Sequence, residues 1–136
     1  MSSRSVVLSV AARVLYPLML VIAVWVLLRG HNQPGGGFIG GMIAVAATSL
    51  WAVAFGAEQA LDRIPLGPLR LGAIGALLAL ASGLAAVVLG KPFLTHLWLY
   101  PVSTVIPFDA GIFATVWAGL GAICAHAIGL DEEVQA

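Results

Sequence analysis

The chain has 136 residues, of which 61% are hydrophobic and 9% charged, and its six basic and six acidic side chains leave a formal net charge of zero. A soluble domain carries about 25% charged residues, so this chain cannot cover a water-facing surface and belongs in a bilayer. No basic run points to a nucleic-acid partner. The single cysteine, Cys124, cannot form an intrachain disulfide, and no Cys/His cluster suggests a metal.

A membrane-spanning helix needs about 20 mostly apolar residues, because the hydrocarbon core is roughly 30 Å thick. Four segments meet that requirement, and the expected fold is all-α: one membrane domain, residues 1–136, with four transmembrane helices. The first covers about 8–28. Arg4 and Arg13 ahead of an apolar run resemble a secretion signal, but the run continues to Arg29 without an A-x-A-like cleavage site. A retained helix is therefore expected. Arg13 lies a turn or two inside it, where snorkelling to the interface explains it cheaply; an ion-path or subunit-pairing role is the other reading.

The second span covers about 38–57 and carries no charge; the third covers about 70–89, with Arg70 just before it. Residues 91–106 form the one long loop. Its Trp98 and Tyr100 suit the membrane–water boundary, and the segment is expected to lie along the bilayer surface with a helical turn between Pro92 and Pro101. The fourth span covers about 107–128 and contains Asp109 and His126. Barrel strands would alternate apolar and polar residues, whereas these runs are apolar on every side. Four spans put both termini on one face of a cell membrane. Arg4, Arg13, Arg63 and Arg70 on that face outnumber Arg29 and Lys91 on the other, which predicts cytoplasmic termini.

Between the first two spans stands GHNQPGGGFIGG, residues 30–41, with six glycines in twelve positions. Gly35, Gly37 and Gly40 satisfy G-x-G-x-x-G, but a dinucleotide fingerprint works only after a β-strand in a βαβ unit. Here it joins two membrane helices, and no Gly-Lys-Ser/Thr completes a phosphate loop. No nucleotide is expected to bind. Gly30 and Pro34 instead end one helix and make a turn. Gly37 with Gly41, and Gly36 with Gly40, are spaced to let another helix approach closely. The surplus of glycine beside His31 and Asn32 also suits docking of another subunit or the lining of a wet path. Gly75, Ala79 and Gly83 make a second small-residue stripe, and Gly111, Thr115 and Gly119 a third.

The twelve-residue stretch closely resembles the G-H-x-x-P-G-G-G-F-x-G-G signature of the MnhB family, small subunits of Mrp-type (Mnh) multisubunit cation/proton antiporters. It places the family motif on Gly30, His31, Pro34, Gly35, Gly36, Gly37, Phe38, Gly40 and Gly41. Pro107-Phe108-Asp109-Ala110-Gly111 is similar to the family's F-D-x-G at the start of its last helix. The resemblance implies a small accessory membrane subunit of a sodium/proton antiporter. It would pack between larger antiporter-like subunits, surrounded by lipid, and line part of the ion route or serve assembly alone. Equivalent subunits of membrane-bound hydrogenase or complex-I-like assemblies share the motif and are the alternative. The resemblance implies no cofactor and no catalytic residue of an enzyme.

Asp109, His31 and Arg13 are the ion-path candidates. For Asp109 two readings stand: a carboxylate inside a membrane is costly enough to imply function, and an Asp in the first helical turn can cap free N–H groups. His31 and His96 both fall in loops, and loop histidines alone define no pathway. His126 lies 17 residues after Asp109, about 25 Å along a helix, too far for a direct relay.

Overall fold

In hydrocarbon every backbone N–H and C=O must find its partner within the segment, so long apolar runs become helices. A computed structural model describes residues 5–30, 36–99 and 102–136. His31, Pro34 and Gly35 of the glycine-rich stretch lie outside the described residues, as do Tyr100 and Pro101 of the long loop. The helices are α1 (Val6–Arg29), α2 (Gly37–Phe55), α3 (Ala57–Asp62), α4 (Pro68–Val88) and α5 (Val105–Gln135). All but α3 are long and apolar enough to cross a membrane. The chain is an all-α membrane protein with four such helices.

The connections differ from the sequence-based expectation in two places. Gly56, at φ 105° and ψ 155°, interrupts what the apolar run alone would continue and starts the one-and-a-half-turn helix α3. The long loop holds no helix among its described residues. It contains a minimal antiparallel ladder, β1 (Trp98–Leu99) and β2 (Val102–Ser103), with Trp98 opposite Ser103. The Thr104 hydroxyl closes this hairpin by accepting the Leu97 N–H at 2.9 Å. The loop also folds back on α4, where the Leu94 N–H donates to the Gly83 carbonyl at 3.3 Å.

Helix α5 begins two residues ahead of Pro107, at Val105. Proline is harmless there, because the first N–H groups of a helix have no intrahelical partner to lose. At 31 residues it is about 46 Å long, more than a bilayer core needs, so its Asp131-Glu132-Glu133 end reaches into water.

Across the molecule the helices lie in the order α1, α2, α5, α4. Helices α2 and α5 form the centre, α1 packs on α2, and α4 packs on α5. The outer helices present wide apolar faces: Val10, Val14, Leu18 and Val21 on α1, and Leu77, Leu80, Leu84 and Val88 on α4 are all exposed. Surfaces of that kind suit lipid or further helices.

Small residues govern the packing. Without a hydrophobic force between helices in lipid, close approach and polar contacts hold them together. The α4–α5 crossing sits where Gly75 meets Gly111: a Cβ at Gly111 would lie 2.6 Å from the Gly75 carbonyl oxygen and 2.7 Å from the Ala79 nitrogen. Gly83 receives the loop side chains of Phe93 and Leu94. Gly119, which shares the Gly111 stripe in the sequence, has nothing within 4 Å of its Cβ position. At that level α4 still meets α5 through Gly72 and Ala118, and Gly119 turns to the exposed side of α5, so the stripe is used over only part of its length.

One buried polar pair joins the central helices. The Trp117 indole N–H donates to the Thr48 hydroxyl at 2.9 Å, and that hydroxyl donates to the Ala44 carbonyl at 3.0 Å. Trp117→Phe keeps most of the ring and removes this donor. It is expected to lower stability by about 0.6–1.7 kcal/mol, read as a small drop in the thermal midpoint of the detergent-solubilised chain. An unchanged midpoint would show that the bond contributes nothing net.

Candidate functional site

The two sequence signatures, far apart in the chain, meet at one end of the α2–α5 contact. Gly36 adopts φ 95° and ψ −170°, a left-handed backbone that favours glycine. Its N–H donates to the Val26 carbonyl near the end of α1 at 3.2 Å, which ties the hairpin shut. Helix α2 then starts at Gly37, directly against the entry turns of α5. A Cβ at Gly36 would stand 3.5 and 3.7 Å from the two Asp109 carboxylate oxygens. One at Gly37 would overlap the Asp109 carbonyl oxygen and come within 3.0 Å of the Phe113 nitrogen.

The next two motif glycines serve both neighbours of α2. A Cβ at Gly40 would come within 2.7 Å of the Ala23 carbonyl oxygen of α1. A Cβ at Gly41 would come within 2.9 Å of Val116 and 3.2 Å of the Phe113 carbonyl oxygen of α5. Gly36, Gly37, Gly40 and Gly41 are therefore occupied by contacts within the chain. Phe38, between them, is exposed. Gly30 is the C-cap of α1, in ordinary right-handed geometry.

The structure corrects one reading of Asp109. It is the fifth residue of α5, whose N-cap is Thr104 and whose first turn holds no acidic residue. Because the helix starts before Pro107, Asp109 is carried past the free N–H groups and cannot cap its own helix. Its carboxylate instead stands beside the N-terminus of α2. Macrodipole charge at a helix N-terminus favours an anion, and the N-cap of α2 is Gly36, which has no side chain to cap it. Asp109 is half-buried, and among the described residues it has no ion-pair partner. It borders a cavity of about 120 Å³ whose other walls are Leu27, Leu28, Ile106 and Ala110. A carboxylate in an otherwise apolar recess, near a membrane boundary, can take up and release a proton or attract a cation.

Among the described residues, Arg13 and His126 are not brought to it. Arg13 lies at the opposite end of α1, exposed, with its guanidinium 5.4 Å from the Phe55 ring centroid. His96 stacks edge-on against Phe108, 5.8 Å between ring centroids. The His126 ring nitrogen Nδ1 is 2.7 Å from the Ala122 carbonyl, a local contact within α5. Among the described residues no group of three or more His, Cys, Asp or Glu side chains forms a metal site. Sequence reasoning missed a cluster of Tyr16, Trp51 and Arg63. Only the aromatic pair's location in facing spans hinted at it.

Comparison with known proteins places this geometry. Residues 7–122 match the family model described as a domain related to the MnhB subunit of Na+/H+ antiporter. The chain belongs to the MnhB family. The putative antiporter subunit mnhB2 of Staphylococcus aureus strain Newman is 35% identical over 125 residues, covering 85% of this chain and 89% of that protein. The protein of the same description from strain COL matches equally. A solved structure, that of the Mrp complex from Dietzia sp. DQ12-45-1b, superposes with a TM-score of 0.73 at 30% identity. The match covers 91% of this chain and 14% of the solved one, so this MnhB-type chain spans a small part of that larger polypeptide. The family's glycine signature and its F-D-x-G are thus two halves of one joint, between the first turns of α2 and α5.

Proposed function

We propose that this chain is the MnhB-type membrane subunit of an Mrp-type Na+/H+ antiporter, working only within the complex. In this reading Asp109 supplies a carboxylate to the proton or cation route. The observation that carries it is the Asp109 side chain itself: an acid within a membrane helix, without capping duty or an ion-pair partner among the described residues, at the joint of both family signatures. Intramembrane acids are costly and mark ion pathways. The relatives' descriptions name antiporter subunits, and the exposed apolar faces of α1 and α4 offer room for larger neighbours. Glycine packing uses Gly37, Gly40, Gly41, Gly75 and Gly111 for contacts inside the chain; the route would lie between this subunit and others. Arg13, Arg63 and Arg70 near one set of helix ends favour a cytoplasmic N-terminus.

Reconstituted alone in liposomes, the chain is expected to give no sodium/proton exchange, while the whole complex does. Deleting it from the complex should abolish exchange, and supplying it again should restore it. Exchange by the single chain would overturn the reading.

A further inference from the structure

At the end of the molecule remote from Asp109, helices α1, α2 and α3 border an open cavity of about 450 Å³ that the antiporter reading does not use. Its walls are Arg13, Tyr16, Pro17, Leu20, Trp51, Phe55, Gln59 and Arg63, with no acidic residue among them. The Arg63 guanidinium lies 3.6 Å from the Trp51 ring centroid and 5.2 Å from that of Tyr16. Arg13 rests on Phe55. Both cations therefore face rings, and neither has a carboxylate partner among the described residues.

The deeper wall is unusual in a second way. Tyr16 is 5% exposed and Trp51 7% exposed, and the Tyr16 hydroxyl and the Trp51 indole nitrogen have no hydrogen-bond partner among the described residues. Both atoms are sealed from solvent, so the charged groups of this cavity that an incoming ligand meets are the exposed Arg13 and Arg63 guanidiniums. Two exposed guanidiniums without a carboxylate partner among the described residues make a pair that an anion with several oxygens satisfies.

The lower wall selects the source of that anion. Pro17, Leu20 and Phe55 are apolar, and the adjoining face of α1 continues as exposed Leu18 and Val21. Arg63 directly follows α3 and Arg13 lies about two turns inside α1, within snorkelling reach of the lipid phosphates. We propose that this cavity binds one anionic phospholipid, its phosphate held by Arg13 and Arg63 and its acyl chains lying along α1. Juxtamembrane arginines each contribute to attraction of anionic lipid, and planar guanidinium matches phosphate geometry. The site is independent of Asp109 and of ion exchange.

The test is native mass spectrometry of the detergent-purified full chain titrated with phosphatidylglycerol, phosphatidylcholine or inorganic phosphate. The wild type is expected to retain one phosphatidylglycerol far better than phosphatidylcholine, and millimolar inorganic phosphate should not displace it. The double substitution R13Q/R63Q should weaken retention about tenfold or more, whereas Arg70→Gln, outside the cavity, should leave it unchanged. R13K/R63K, which keeps both charges, should retain part of the binding, and circular dichroism checks that each variant is folded. Equal retention of the two lipids, or undiminished binding by folded R13Q/R63Q, would overturn the proposal. So would displacement by free phosphate, which makes the site one for a soluble anion. Absence of the lipid from this cavity in the assembled complex, with a partner carboxylate in its place, would overturn it equally.

Discussion

Asp109→Asn is expected to cut sodium/proton exchange about tenfold or more in a complex that assembles with normal subunit ratios. The substitution keeps shape and polarity and removes only the ability to ionise. Its structural cost is bounded: Asp109 caps no helix, and loss of a charge beside the α2 N-terminus is worth about 0.3–1 kcal/mol. Such a loss is too small to dismantle the α2–α5 contact, so a collapse in activity would report the carboxylate's chemistry. Asp109→Glu, which restores the charge a methylene further out, should recover part of the rate. The measurement is sodium-dependent dequenching in inverted vesicles, with blue-native gels to confirm assembly. Near-normal exchange by the Asn variant would remove Asp109 from the ion route and leave the accessory role as purely structural.

Gly111→Leu is expected to be strongly destabilising, and Gly119→Leu close to neutral for the isolated chain. The two glycines share one stripe of α5, yet a side chain at Gly111 would strike the α4 backbone at Gly75 and Ala79, while Gly119 faces open space. Overpacking typically costs about 1–3 kcal/mol, and more where the obstacle cannot move; here it is the backbone of a helix. Because α4 packs mainly on α5, pushing them apart releases α4 from the protein as a whole. Membrane levels and the thermal midpoint of the detergent-purified chain should fall sharply for Gly111→Leu and hold for Gly119→Leu. Equal tolerance at both positions would mean that the α4–α5 crossing is looser than these distances imply.

The sequence by itself was enough for the membrane class, the four helices and the family, because each rests on local properties. Apolar length determines whether a segment spans hydrocarbon, and GHNQPGGGFIGG is a contiguous signature whose meaning survives without knowing its neighbours. Helix ends were less legible. Pro107 reads as a helix start, but proline is equally at home in the first turn, and Thr104 begins α5 earlier. That shift of two residues is what denies Asp109 a capping role.

Tertiary structure alone decided which small residues are used and which charges meet. Gly37 and Gly41 read equally well as a face for another subunit, and only the path of α5 shows that this chain fills it. The pairing of Trp117 with Thr48, separated by 69 positions, and the gathering of Arg63 with Tyr16 and Trp51 leave no periodic trace. The physical reason is that hydrophobic patterning normally tells the inner face of a helix from its outer face. In a bilayer both faces are apolar, so that signal is lost, and what remains is close backbone contact, which depends on how the helices lie against one another.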